Sequence, residues 1–285
     1  MKKAATVAAV VLLLIATSAE AWDSGTHRLI TRLAIGALPP SPLAALMARN
    51  SRRLQKYAVI PDTRLKELYG DAERRRHFID LEYFGNDPLS AISPDLHATE
   101  RNFGVAVLIR AGILPWTIDQ VSTELAAAWD AGNCVKMLIL SGYLSHYVGD
   151  LSQPLHTTVN FDGLVPADRG VHARFERAVD HSTGDLADLS RPQVHIIRID
   201  SVWKVVIDGL RESHQHVAEV VEDDRAARAS SDGGGTRLRA RDDGARAGAR
   251  RGANRALGLD PRLDLALRVE PGRPSAILLV RRQLT

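Results

Sequence analysis

The sequence predicts an all-α protein, a single mostly helical domain followed by an irregular basic C-terminal tail. Apolar residues recur at helical spacing through most of residues 22–224. Alternating patterns typical of β-strands are nearly missing there, apart from a short run at 194–199. Clusters of turn-forming residues separate the periodic segments. Together these observations favour a bundle of distinct helices.

Seven segments carry the helical pattern. In chain order they are 26–38, 42–57, 98–111, 116–131, 134–149, 171–181 and 200–221. Turns are predicted at Pro39-Pro40, 85–88, Gly132-Asn133 and Asp162-Gly163, where glycine, proline, asparagine and aspartate cluster.

The first residues are typical of a secretory signal peptide. Lys2 and Lys3 precede an apolar run at 4–16, and a small-residue cleavage site ends at Ala21. We therefore expect a signal peptide at 1–21 and a mature protein that is secreted or periplasmic; an uncleaved N-terminal anchor is the alternative. With Cys134 as its single cysteine the chain can form no internal disulfide, so bound metal is an obvious source of rigidity.

Charge divides the chain into two parts. Residues 22–224 carry 21 Lys and Arg against 27 Asp and Glu, whereas residues 225–285 carry 14 Arg and no Lys against 6 Asp and Glu. The basic pI therefore belongs to the tail and does not indicate nucleic-acid binding by the rest. The Arg/Gly/Ala-rich tail at 225–285 lacks a regular apolar stripe, which predicts either a disordered basic tail or a reading frame that shifts near residue 225.

Potential metal ligands concentrate between residues 146 and 176. His146 and Asp150 are four residues apart, as are His172 and Glu176, and this spacing places both members of each pair on one helix face. Pro154 stops the helix that carries the first pair, so His156 can serve a different ion. Imidazole and carboxylate groups in this mixture are typical of catalytic zinc sites.

Further candidates lie upstream, and here a family resemblance becomes visible. Asp62 follows a proline, His77 precedes a phenylalanine, and His27 lies five residues after Trp22, the expected mature N-terminus. With the segment from His146 to Gln-Pro-Leu-His156 and the closing His-x3-Glu, these motifs resemble the superfamily of zinc-dependent phospholipase C and single-strand-specific nucleases. The resemblance covers residues 22–181.

The resemblance implies a trinuclear zinc site in an all-α fold of the phospholipase C and nuclease type. It places Asp62, His77, His146 and Asp150 around the first ion and His156, His172 and Glu176 around the second. The third ion would be bound by the α-amino nitrogen and carbonyl oxygen of Trp22 with His27, and Asp150 would bridge the first and third ions. Asp62 is the catalytic candidate, orienting a water or taking its proton.

The implied chemistry is phosphodiester hydrolysis by hydroxide activated by the zinc ions. The substrate expectation leans to a phospholipid, because Glu176 ends the ligand series and the paired cysteines and Gly-Gly-Asn segment of many nucleases are missing. Single-stranded nucleic acid is the close alternative, and a noncatalytic or defective zinc-binding exported protein is a third. We expect transient contact with a membrane surface and no protein partner.

Several neighbouring residues have an ordinary structural interpretation beside a functional one. Asp80 could hydrogen-bond a ligand or lie on the surface, and Arg174 could meet a phosphate but is better explained as a solvated helix residue. The arginine run at 74–76 predicts a solvated face, with phosphate attraction as the alternative.

Overall fold

The structure is a computed structural model and describes residues 24–181 and 200–231. Within these two ranges every regular element is helical and no strand occurs, which confirms the predicted all-α class. The short alternating run at 194–199, the signal peptide at 1–21, Trp22, and residues 232–285 of the predicted tail lie outside the described residues.

Thirteen α-helices are described, together with four short turns of other helix types. Helices α1 to α13 are Ser24–Ala37, Pro42–Arg49, Ser51–Tyr57, Lys66–Tyr69, Asp71–Arg74, Pro88–Ala91, Leu96–Phe103, Val105–Ala111, Leu114–Asp130, Cys134–Leu151, Val171–His181, Val202–His214 and Val217–Ser231. One π-helical turn spans Pro61–Leu65, and 3-10 turns span Leu81–Phe84, Pro154–Thr157 and Pro166–Asp168.

Three of the predicted helices are each divided into two. The segment at 42–57 breaks at Asn50, whose side-chain amide and backbone N–H both donate to carbonyls at the end of α2. The segment at 98–111 breaks at Gly104, which adopts a positive φ of 86° and redirects the chain. The segment at 200–221 breaks between His214 and Val217. Periodicity identified these helices, while capping chemistry set their ends.

Helix α10 is the centre of the main hydrophobic core. It packs against α1, α3, α9 and α12, so apolar side chains on several of its faces are buried, including Leu138, Leu140, Leu144, Tyr147 and Leu151. A helix buried on several sides can hold polar residues only where they have partners. The polar residues that α10 does bury, His146 and Asp150, belong to the candidate metal centre.

Two glycines let neighbouring helices approach α10 closely. A Cβ at Gly142 would lie 2.4 Å from the Tyr57 Cβ of α3, and a Cβ at Gly149 would lie 3.1 Å from His27 Nδ1 of α1. The second approach matters for the site, because it places the His27 ring against α10.

A second, smaller hydrophobic cluster lies apart from the main core, and we call it the satellite core. It consists of buried residues from the 154–157 turn, α11 and α13, with Phe175 packed against it: Leu155, Val171, Val217, Val220 and Val221. The satellite core therefore joins the last described helix to the segment that carries His156, His172 and Glu176.

Helix α13 crosses the domain boundary predicted between Asp224 and Arg225 and continues to Ser231. Arg225 donates two hydrogen bonds to the buried carboxylate of Asp168, of 2.7 and 2.6 Å. Asp224 accepts from both Arg174 and Arg228, and Arg228 also donates to the Ala167 carbonyl. The first residues of the predicted tail are thus held against the loop that precedes α11.

None of the helices within residues 24–181 and 200–231 combines the length and apolar character needed to cross a membrane.

Candidate metal centre

Six separate segments contribute side chains to one buried region between α1, α10 and α11. Each sequence-predicted ligand in the described residues lies there: His27 on α1, Asp62 in the π-helical turn, His77 after α5, His146 and Asp150 on α10, His156 in the 154–157 turn, and His172 and Glu176 on α11. Their donor atoms form three groups, each with atoms within 4.8 Å of one another. Trp22 lies outside the described residues.

The first group contains Asp62, His77 and His146, with Asp150 beside them. Asp150 Oδ2 lies 2.9 Å from His77 Nδ1 and 3.2 Å from His146 Nε2. Asp62 Oδ1 lies 3.4 Å and 3.7 Å from the same two nitrogens. Two imidazole nitrogens and two carboxylate oxygens therefore face one point.

Local backbone structure explains how Asp62 reaches this group. The Leu65 N–H donates to the Ile60 carbonyl over 3.0 Å, the five-residue step that defines a π turn. Pro61 begins the turn, where its missing N–H costs no hydrogen bond. The turn directs Asp62 towards α10, while Lys66 on the following helix donates to Asp62 Oδ1 over 2.6 Å.

The second carboxylate oxygen of Asp150 belongs to the next group, with His27 and His146. His27 Nε2 lies 3.5 Å from Asp150 Oδ1 and 3.6 Å from Asp62 Oδ2. The rings of His27 and His146 are stacked, with centroids 3.9 Å apart. Since its two oxygens face different groups, Asp150 has the geometry of a bridging ligand.

The third group contains His156, His172 and Glu176. Glu176 Oε1 lies 2.6 Å from His172 Nε2 and 3.4 Å from His156 Nε2. The four-residue spacing on α11 stacks His172 and Glu176 as the sequence predicted. Pro154 turns the chain after α10, and the two imidazole rings of this group lie with centroids 5.1 Å apart.

Backbone carbonyls fix which nitrogen two of these histidines present. His146 Nδ1 donates to the Ala58 carbonyl over 2.7 Å, and His156 Nδ1 donates to the His77 carbonyl over 2.9 Å. In a neutral imidazole the other nitrogen then carries a lone pair. Nε2 of both rings faces the site, so both rings are oriented as ligands.

The electrostatics favour ionised carboxylates. Burial alone would raise the pKa of Asp150, but His146, His77 and His156 outweigh burial and hold that pKa well below its usual range. For Asp62, burial is likewise outweighed by His146, Lys66 and His77, which lower the pKa. For Glu176, His172 and His156 overcome burial and lower the pKa.

The pKa values of the two buried histidines His27 and His146 are shifted in opposite directions. Burial, reinforced by the neighbouring His146, lowers the pKa of His27 to about 3, so this ring is neutral and one of its two nitrogens has a lone pair that can bind a cation. Burial also opposes the charged form of His146, yet Asp150 and Asp62 outweigh it and raise the pKa of His146. In the metal-free protein, Asp150 and Asp62 thus favour the protonated form of His146.

The donor set fits metal ions. Five atoms of the region are buried without a hydrogen-bond partner among the described residues: His27 Nδ1, His27 Nε2, His77 Nε2, Asp150 Oδ1 and His172 Nδ1. Buried polar atoms are nearly always paired, and an unpaired one costs about 1–3 kcal/mol. Imidazole nitrogen mixed with carboxylate oxygen is the ligand chemistry of catalytic zinc. These residues therefore fit zinc better than they fit a packed core.

Residues with no predicted role support the site as well. Gln153 is fully buried and donates to Glu176 Oε1 over 3.0 Å, while its own Oε1 accepts from the Leu155 N–H. Glu73 is buried beside His77 and accepts a hydrogen bond from the Tyr147 hydroxyl. Gln153 stood within the Gln-Pro-Leu-His motif, and Glu73 precedes His77 by four residues; these were the signals available in the sequence.

The structure favours a structural role for Arg174 over phosphate binding. Its guanidinium is held by Asp224 and by the carbonyls of Asp168 and Arg169, so it is engaged in structure. Asp80 is partly buried, and burial together with Glu82 raises the pKa of its carboxyl to about 7. Arg76 lies over the Tyr147 ring, whereas Arg74 is mostly exposed.

Comparisons with known proteins found similarity in structure but none in sequence. No protein-family model matches it, and no curated protein matches it in sequence. Among solved structures it is similar to the alpha toxin from Clostridium absonum, with 16% sequence identity and a TM-score of 0.46. That similarity covers 85% of this chain and 67% of the toxin chain. The function proposed below rests on the geometry of this chain's own residues.

Proposed function

We propose that this protein is a zinc-dependent phosphodiesterase of the superfamily that joins zinc-dependent phospholipase C with the single-strand-specific nucleases. The observation that carries the proposal is the convergence of eight buried or nearly buried ligand residues into three groups. Two of the groups share His146, and the two oxygens of Asp150 face both of them. Three zinc ions are proposed, with Trp22 completing the group that contains His27, His146 and Asp150. When bound, zinc would supply positive charge that acidifies water and stabilises the phosphoryl oxygens.

Asp62 is the proposed catalytic carboxylate. Its side chain is 10% exposed, compared with 0% for Asp150 and 7% for Glu176, so it is the most accessible carboxylate of the site. An ionised carboxylate at this position can orient a water molecule and accept its proton. The ammonium group of Lys66, which bonds Asp62, is also available to an anionic substrate.

Phospholipid is the favoured substrate class. The segment between His156 and His172 exposes four apolar side chains beside the site: Val159, Phe161, Leu164 and Val165. Apolar side chains of this kind suit transient contact with a lipid surface. These exposed side chains favour a phospholipid substrate, as Glu176 does in the sequence.

Single-stranded nucleic acid is the second candidate, and one observation favours it. The Phe161 ring is 44% exposed and lies 6.0 Å, centroid to centroid, from the His172 ring. An exposed aromatic ring beside a phosphodiesterase site can stack on a nucleobase. A Phe161→Leu variant separates the two: loss of DNA cleavage with retained lipid cleavage would indicate the nuclease.

The test is a side-by-side assay of purified, zinc-loaded protein on phosphatidylcholine and single-stranded DNA, with and without a chelator. We expect chelator-sensitive cleavage of phosphatidylcholine, and an Asp62→Asn variant slowed by about 10²–10⁴-fold. The matched control is Asp71→Asn, which alters a surface carboxylate outside the site. Zinc binding without turnover of either substrate would support the noncatalytic alternative, and a chain without zinc or cooperative melting the defective one.

The proposed role of Trp22 depends on removal of the signal peptide and on export. Before cleavage between Ala21 and Trp22 the Trp22 nitrogen is an amide; afterwards it is an amine with an ordinary pKa of about 8 that can bind metal. We expect a chain with one extra residue before Trp22 to bind one ion fewer and to be nearly inactive. Equal zinc content and activity in that chain would contradict this role.

A further inference from the structure

The first three helices carry positive charge without any acidic residue to balance it. Residues 24–61 contain no Asp or Glu, whereas residues 62–224 contain 26 Asp and Glu against 15 Lys and Arg. Six cationic residues lie in the first range, and all six are exposed: Arg28, Arg32, Arg49, Arg52, Arg53 and Lys56. We call these six residues the basic surface. Positive charge is therefore concentrated on α1, α2 and α3, in a domain that is acidic elsewhere.

The cations of the basic surface lack carboxylate partners. The next two cations along the chain are paired: Arg64 lies 3.4 Å from Glu67, and Lys66 lies 2.6 Å from Asp62. None of the six side chains of the basic surface forms an ion pair with a residue in 24–181 or 200–231. Neighbouring unpaired cations add their potentials, so the basic surface can attract a large anionic partner.

Four of the six cations share one face of the segment formed by α2 and α3: Arg49, Arg52, Arg53 and Lys56. They follow one another at steps of three or four residues, which is the spacing of a helix face. The Leu54 N–H donates to the Asn50 carbonyl over 3.0 Å, so helical hydrogen bonding continues across the junction. Arg49, Arg52 and Arg53 line the same shallow surface depression. These charges therefore act together.

Helix α1 adds the other two cations on the same side of the molecule. Arg28 and Arg32 are four residues apart, and both are exposed. Helices α1 and α3 pack against each other, and both pack against α10. Their exposed faces therefore point away from α10, and the cations of α1 lie beside those of α3.

The basic surface suits an anionic phospholipid membrane better than a nucleic acid. Tyr57 is the single aromatic residue in 24–61, and it is partly buried, so the surface offers no exposed ring on which bases could stack. Cations spread over adjoining helices match the many phosphate groups of a lipid surface, where each Lys or Arg strengthens binding roughly fivefold. Charge complementarity therefore favours a membrane that contains anionic lipids.

We propose that the basic surface docks the protein on membranes that contain anionic phospholipids. This inference goes beyond the proposed function and requires neither zinc nor hydrolysis. It concerns where the protein acts, whereas the candidate metal centre concerns what it cleaves. Because Arg28 directly follows the buried His27 on α1, the docking surface and the metal centre are built on the same helix.

The experiment measures sedimentation of the full chain with vesicles of phosphatidylcholine alone and of phosphatidylcholine and phosphatidylglycerol in equal parts. All proteins carry Asp62→Asn, which prevents hydrolysis of the vesicles. We expect binding to the anionic vesicles that weakens as salt screens the charges. The combined variant Arg49→Gln, Arg52→Gln, Arg53→Gln and Lys56→Gln should bind these vesicles at least about 100-fold less tightly.

The matched control removes four exposed cations from other helices and turns: Arg74→Gln, Arg101→Gln, Lys204→Gln and Arg211→Gln. Its net charge equals that of the test variant, and we expect it to bind within about fivefold of wild type, the effect of one cation. Equal weakening in the two variants would overturn the proposal, because net charge alone would then explain binding. Wild-type binding to both kinds of vesicle with equal affinity would overturn it too.

Two further measurements separate the remaining outcomes. Loss of binding to a single-stranded oligonucleotide in the test variant, with vesicle binding unchanged, would replace the lipid partner by a nucleic acid. Acetylation of wild-type protein needs no variant that must fold: anionic vesicles should protect Lys56 and leave Lys204, which is 67% exposed, reactive. Protection of Lys56 no greater than that of Lys204 would overturn the proposal.

Discussion

The two sides of the candidate metal centre are supported by different hydrophobic clusters. The side that contains Asp62, His77 and His146 is assembled from segments far apart in the chain and is mounted on α10 in the main core. The side that contains His156, His172 and Glu176 comes from 21 consecutive residues and rests on the satellite core. The ligands that are close in sequence are thus supported by the smaller hydrophobic cluster. Their positions therefore depend more strongly on the presence of α13.

The strongest test of this difference is removal of α13 by a stop after Gln215. Val217, Val220 and Val221 would be lost from the satellite core, at roughly 1.5 kcal/mol or more each and about 5 kcal/mol together. We expect zinc on the His156 side to be lost while the main core still melts cooperatively. Zinc content and calorimetry provide the measurement.

The matched control for that truncation is a stop after Ser231, which retains α13 and removes only residues 232–285. We expect full zinc content and wild-type melting. Retained zinc on the His156 side without α13 would show that the satellite core does not support it.

A pair of core substitutions tests whether the two sides of the site unfold independently. Leu144→Ala removes a buried side chain of α10 and should cost about 3 kcal/mol, lowering the midpoint of unfolding of the whole chain. Val221→Ala should cost about 2 kcal/mol and release zinc from the His156 side before global unfolding. Zinc release followed with a coloured chelator during heating distinguishes the two. Simultaneous release in both variants would mean that the two sides unfold as one unit.

The pH dependence of stability tests the environment of Asp80. The Asp80 carboxyl lies close enough to His156 to interact with it electrostatically. Its folded-state pKa of about 7 exceeds its ordinary value of 3.8, so the folded state binds the proton more tightly. Asp80 therefore costs stability as pH rises from about 4 to about 7. In metal-free protein, Asp80→Asn should gain about 1 kcal/mol over wild type between pH 5 and pH 8.

Urea unfolding of metal-free Asp80→Asn at the two pH values measures that gain, and Asp71→Asn serves as the surface control. A gain at pH 5 equal to that at pH 8 would contradict the Asp80 assignment.

The smallest expected effect concerns Arg225, which holds the loop before α11 through Asp168. Arg225→Gln should weaken zinc binding on the His156 side by about 2–5-fold and leave the His77 side unchanged. Arg211→Gln, which alters an exposed ion pair on α12, is the control. Equal weakening of zinc binding on both sides would show that the Arg225–Asp168 contact affects the whole domain.

The sequence predicted the short-range features of this site well and the long-range ones less fully. The four-residue pairs on α10 and α11 follow from helix geometry, and the chain turns at Pro154 so that His156 and His146 lie in different donor groups. The family resemblance was needed for Asp62, His77 and His27, which only tertiary packing brings together. Glu73 was missed because its partners, His77 and Tyr147, are set by how α5 packs against α10, which no local pattern encodes.

The same limit applies to the fold. Apolar periodicity gave the helical class and most helices, but the short helices between residues 61 and 91 have too few turns to show a period. The boundary placed at Asp224 followed a change in composition, whereas α13 continues to Ser231 because Arg225 and Arg228 find carboxylate and carbonyl partners on the loop before α11.

The pairing of His77 with His156 has a kinetic consequence. The His77 carbonyl accepts from His156 Nδ1, and the Ile79 N–H donates to the His156 carbonyl, so two hydrogen bonds close a loop of nearly 80 residues. Closing a loop of this length is slow compared with forming a helical turn. We therefore expect the ligands on the C-terminal side, although neighbours in the chain, to reach their final positions late in folding.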